Sequence, residues 1–286
     1  MSIIQFLEQA ELGALDTCKE CPWSPKCNTS IGFGVSCIEH GLDWTKESLA
    51  NSMLIAQDPG DTTPHKTGRL CTVHNSKNQT DKTAQQNLEL WKTAVSLNAE
   101  NPEASGYLKT HYWLNSIMHG ASASTGLRDK AIMETTRKHC SEVLEAQIRM
   151  LRPKVVIATG SQPTNSLYDI GLISRNWSDL RHNFSSGAYI EKNSSWLDDK
   201  SISVYSTYHT SARVVNQTLS RSYNFDIEKR IKNKIVANKL ETQDSIIGFL
   251  SKYHDMSNAT HRGMRYLLNH WLDIGVGIRT AYNDAT

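Results

Sequence analysis

The sequence predicts an α/β protein, a single doubly wound, mostly parallel four-stranded sheet flanked by helices and followed by a helical C-terminal extension. Three observations carry this expectation. Short apolar or β-branched runs at Ser52–Gln57, His111–Asn115, Lys154–Thr159 and Ile202–Thr207 stop abruptly at polar residues and turn formers, as buried parallel strands do. Between them lie segments whose apolar residues recur at helical spacing. Strands alternating with helices imply crossover connections, hence parallel pairing with both sheet faces covered.

Taken in order, residues 2–15 read as a short amphipathic helix leading into a cysteine-rich loop. After the first strand, Leu88, Trp91 and Val95 share one face of a helix over 83–98, which Asn98–Pro102 terminates. The strand to Asn115 follows. A polar stretch from Gly120 to Gly126 precedes a long helix over 129–151 that places Cys140, Leu144, Ile148 and Leu151 on one face and ends before Pro153. The third strand closes at Gly160, and helix and strand repeat once more. Residues 1–220 therefore read as one α/β domain with an N-terminal cysteine module, and 221–286 as the helical extension. That extension is basic at its start: Arg221, Lys229, Arg230, Lys232, Lys234 and Lys239 are set against Asp226 and Glu228. These charges form either a solvated helix face or a surface for a nucleic-acid backbone or another partner.

With 286 residues and 38% hydrophobic content the chain can bury one sizeable core and still carry an added subdomain. No apolar run approaches the roughly 20 residues of a membrane span, and the amino terminus lacks a basic stretch followed by an apolar core, so a soluble cytoplasmic monomer is expected. A net charge of +2 is too small to mark a nucleic-acid binder, so such contacts must come from local basic loops. Four of the six cysteines, Cys18, Cys21, Cys27 and Cys37, fall within one short segment, while Cys71 and Cys140 stand apart. Cys18-Lys-Glu-Cys21 reads as a metal or redox pair rather than a disulfide, with reduced structural thiols as the alternative.

Three strand ends carry residues able to do chemistry: Asp58 after the first, Asn115 at the end of the second and His209 after the last. This trio resembles the uracil-DNA glycosylase superfamily. Further motifs resemble its single-chain iron–sulfur members, whose signature is C-x-x-C-P-L followed by a basic residue and Gly-x-Gly; here it reads Cys18-Lys-Glu-Cys21-Pro22-Trp23, then Lys26-Cys27 and Gly32-Phe-Gly34. Their G-E-A-P-G and G-R-P-F are matched by Ala56-Gln57-Asp58-Pro59-Gly60 and Gly68-Arg69-Leu70-Cys71. Their N-x-x-K-C is met by Asn115–His119, their cysteine-headed helix by Cys140 with Gln147-Ile148, and their H-P-S by His209-Thr210-Ser211. The resemblance covers about residues 15–220.

The departures also inform. The acid stands at Asp58, as in the G-Q-D-P-Y-H of other uracil enzymes, not at Gln57 where the iron–sulfur members carry glutamate. His119 replaces a family cysteine, so the resemblance implies an iron–sulfur cluster (4Fe-4S) on Cys18, Cys21 and Cys140, with Cys27, Cys37 or His119 as fourth ligand; zinc is the alternative. Thr210 replaces proline after the histidine.

The resemblance implies a DNA glycosylase acting on duplex DNA with a flipped base, or on a single strand. Breaking an N-glycosidic bond leaves an electron-poor sugar and an electron-rich base, so the site needs negative charge near one and a hydrogen-bond donor at the other. Asp58 and His209 supply those ends, and Asn115 reads the Watson–Crick edge of the extruded base beside Gln57, Gly60 and Cys71. Ser211 and Arg213 would meet DNA, Arg213 filling the gap left by the base. Where other uracil enzymes carry a tyrosine against C5 and a stacking phenylalanine, this chain has Gly60 and Leu70-Cys71-Thr72, so a bulky 5-modified pyrimidine of phage DNA is the expected substrate and antiviral defence the expected role. Uracil repair is the competing expectation, and a catalytically silent, metal-containing DNA binder the one from another class.

Overall fold

The computed structural model describes Phe6, Gln9, Lys19 and residues 51–57, 82–95, 111–116, 130–198, 200–211 and 213–283. Strands β1 (Ser52–Ala56), β2 (His111–Asn115), β3 (Val155–Thr159), β4 (Tyr189–Leu197) and β5 (Lys200–Thr207) form one sheet in the order β2-β1-β3-β5-β4. The first three and β5 run parallel, and β4 lies antiparallel on β5.

The sheet thus has five strands, a correction to the expected four. β4 reads Tyr-Ile-Glu-Lys-Asn-Ser-Ser-Trp-Leu, is largely solvent-facing and carries a register shift between Asn193 and Leu197. A polar, irregular edge strand lacks the continuous apolar run that marks a buried one, and its charges protect the open edge from pairing with another chain.

The helices are α1 (Lys82–Ala94), α2 (Lys130–Leu151), α3 (Ser161–Asp169), α4 (Trp177–Leu180), a π-helical segment Val214–Leu219 that continues into α5 (Ser220–Ser222), α6 (Phe225–Ala237), α7 (Asp244–Lys252) and α8 (Ala259–Asn283). Strand side chains alternate between two cores. Met53, Ile55, Val156, Ala158 and Val204 join Val143, Leu144 and Ile148 of α2 on one face. Leu54, Val155, Ile157 and Tyr205 join Leu90 and Trp91 of α1 and Leu267, Trp271 and Ile274 of α8 on the other. Each fully buried leucine or isoleucine here contributes roughly 1.5–3 kcal/mol, so α8 is a principal stabiliser of the second face. It packs closely: a Cβ on Gly275 would lie 2.2 Å from the Ala94 carbonyl oxygen, which also accepts a hydrogen bond from Arg279. Among the described residues no helix is long and apolar enough to cross a membrane.

Candidate functional site

The chain passes from β1 to β2 on one side of the sheet and places β3 on the other, so the strand order reverses at β1. In open α/β sheets the crevice outside the strands' carboxyl ends at such a switch point is where ligands bind. β1, β2, β3 and β5 are parallel, and residues 57, 115, 160 and 208 accordingly leave the sheet at one rim.

Hydrogen bonds fix the backbone around this rim. Asn115 pairs with Ala56 in register, and the next residue, the fully buried Ser116, donates its N–H to the Ala56 carbonyl at 2.8 Å and its hydroxyl to the Gln57 carbonyl at 3.0 Å. The last described residue before Asp58 is therefore held by the end of β2. On the other side Thr159 donates its hydroxyl to the Ile55 carbonyl at 3.1 Å, and Gly160 donates its N–H to the Thr207 carbonyl at 2.8 Å. Gly160 adopts φ +98° and a Cβ there would sit 3.1 Å from the Cβ of His209, so only glycine suits both its backbone and its neighbour.

With strands about 4.8 Å apart, the ends of β1 and β5 stand about 10 Å from each other, with β3 between them. Gly160 contributes no side chain to that interval.

His209 is half-buried, and its Nδ1 accepts the backbone N–H of Ser211 at 3.1 Å. Since Nδ1 is the acceptor, the neutral ring carries its proton on Nε2, which is then the hydrogen-bond donor. The segment is braced from α8. Thr207 Oγ1 and the fully buried His270 Nδ1 are hydrogen-bonded at 3.0 Å. Burial, reinforced by the Lys234 cation, pushes the His270 pKa down to about 3, so this imidazole stays neutral. The Tyr208 ring meets Phe184 and Trp177 edge-on at 5.0 and 5.5 Å, and its hydroxyl donates to the Arg181 carbonyl at 3.3 Å.

The structure thus brings Gln57, the backbone of Asn115, His209 and Ser211 to one rim, with the exposed Arg213 at the head of the π-helical segment. Asp58, Gly60 and Cys71 lie outside the described residues, as do Cys18, Cys21, Cys27, Cys37 and His119. Cys140 is 4% exposed in α2 and shares its apolar cluster with Phe6. Phe6, upstream of Cys18 in sequence, therefore lies on the sheet face that carries Cys140. Ser116, Gly160, Thr207 and His270 were not anticipated from sequence. Gly160 alone offered a signal, as the glycine closing an apolar strand.

A profile of the Uracil DNA glycosylase superfamily matches residues 43–232, well over half the chain and a span that includes Asp58, Asn115 and His209. The chain belongs to this superfamily. The uracil-DNA glycosylase match agrees with the α/β architecture and suggests a DNA glycosylase with DNA as its partner. A comparison with curated proteins returns no match. The match ends within α6, so α7 and α8, including His270, lie beyond it.

Proposed function

We propose that the protein flips a 5-substituted pyrimidine, such as hydroxymethylated or glucosylated cytosine of phage DNA, out of the strand and hydrolyses its N-glycosidic bond in antiviral defence. The observation that supports the hydrolytic part is the His209 geometry: its Nδ1 accepts the Ser211 N–H, which leaves the proton of the neutral ring on Nε2. Asp58 orients a water and takes its proton as the C1′–O bond forms and the C1′–N bond breaks. The base departs with the bonding electron pair, and His209 Nε2–H stabilises the charge on its carbonyl oxygen. Asn115 reads the Watson–Crick edge, Gln57 and Cys71 line the base, and Arg213 occupies the vacated stack while Ser211 holds the backbone nearby.

Selectivity rests on Gly60. If its lack of a side chain admits a large 5-substituent, Gly60→Tyr sets a ring against C5 and suppresses release of a bulky base far more than release of uracil, because packed surroundings relax only partly. Oligonucleotides carrying uracil, hydroxymethyluracil, hydroxymethylcytosine and glucosylated hydroxymethylcytosine, treated with alkali after incubation, measure both. Efficient release of uracil with every modified base ignored replaces this reading with uracil repair, which Gly60 alone does not exclude, because the iron–sulfur enzymes that the sequence resembles also carry glycine after their A-P pair.

The donor set Cys18, Cys21, Cys27 and Cys140 fits a four-iron four-sulfur cluster, with zinc as the competitor. Such a group would supply a structural tie between the N-terminal segment and α2, and hydrolysis needs no electron from it. The purified protein is expected to absorb visible light through thiolate-to-iron charge transfer and Cys140→Ser to lose both colour and iron. A colourless, zinc-loaded preparation overturns the cluster.

A further inference from the structure

The loop between α3 and β4 is irregular yet tied down at many points. Asn176 caps α4 by accepting the Asp179 N–H at 3.2 Å, and Asn165 accepts the N–H of Trp177 at 2.9 Å. Phe184 is fully buried, and its carbonyl accepts the Tyr266 hydroxyl at 3.2 Å. Arg230 and Lys234 of α6 donate to the carbonyls of Ser185 and Ser186 at 2.7 and 3.3 Å. The loop enters β4 at Tyr189, which pairs with Ser206, so it reaches the sheet at the rim from which His209 emerges.

What this fixed loop shows to solvent is cationic. Arg175 and Arg181 are exposed on it, as is His182, whose Nε2 accepts from Arg181 Nε at 3.2 Å, and Lys229 and Lys232 are exposed on the adjoining α6. Opposing them on the same elements are the exposed Asp179 and Asp226, whereas Glu228 is engaged by Arg265 at 3.0 Å and Asp273 by Lys234 at 2.7 Å. An ordered basic strip next to a base-flipping crevice loses little conformational entropy on meeting a polyanion.

We propose that the loop from residue 174 to 187 and the outer side of α6 form a backbone-binding strip for the DNA flanking the extruded nucleotide, on the β5–β4 side of His209. The proposal rests on the glycosylase reading. Phosphates neutralised by Arg181, Lys229 and Lys232 release counterions, so each contact adds about one to the slope of log affinity against log salt.

The test is fluorescence anisotropy with a labelled duplex and a labelled single strand, both lacking any modified base, over a salt series. Arg181→Ala and Lys229→Ala are each expected to weaken binding several-fold, equally across sequences, and to flatten the slope by about one. Lys138→Ala, exposed on α2 across the sheet, serves as control and leaves the slope unchanged. The Arg181 contact to Tyr208 runs through its carbonyl, so alanine retains it. Wild-type slopes in both variants, with base release intact, overturn the strip alone. Neither DNA binding nor base release in the wild-type protein overturns the strip and the glycosylase reading together.

Discussion

Asp58→Asn is expected to leave DNA binding intact while base release falls by roughly 10²–10⁴-fold, the range associated with loss of a positioned general base. The substitution preserves shape and removes the charge that both the attacking water and the cationic sugar require. Asp58 follows Gln57, whose carbonyl is held by the Ser116 hydroxyl at 3.0 Å, so the stem that delivers the acid is set by β2 as well as β1. The measurement is alkali-induced strand breakage of a substrate oligonucleotide, beside anisotropy of the same oligonucleotide. Breakage undiminished in the variant removes Asp58 from the mechanism.

His209→Ala is expected to lower turnover by roughly 10²–10³-fold with a much smaller change in binding, because a donor aimed at a departing base matters chiefly as charge develops there. The Ser211 N–H that sets the ring's tautomer loses its acceptor in this variant. Single-turnover rates over a range of enzyme concentrations separate the two effects. Equal loss of binding and turnover assigns His209 to positioning.

β1, β2, β3 and β5 were legible because strands buried on both faces must be continuously apolar, and Ser52–Ala56 and Val155–Thr159 are. β4 was not, since an edge strand satisfies half its backbone with solvent and needs no such run. The same contrast divides the site. His209 and the Asn115 position follow from where strands end, a local property. The roles of Gly160, Thr207 and His270 arise from contacts far apart in the chain: Thr207 meets a histidine 63 residues later, across a helix that sequence patterning alone could place only as an extension. Leu88, Trp91 and Val95 at helical spacing predict a helix over 83–98, and α1 occupies Lys82–Ala94.

The reach of α8 separates two boundaries that are easily taken for one. The superfamily profile stops at residue 232, where inherited resemblance fades, but Leu54, Ile157 and Tyr205 of the sheet share their core with Leu267, Trp271 and Ile274. A fragment cut at the edge of homology would carry every candidate catalytic residue and leave the part of this sheet face that α8 covers exposed to water. The smallest autonomous piece of this protein is therefore larger than the piece its relatives would identify, and any minimal version has to be drawn around the hydrophobic seam rather than around the motifs.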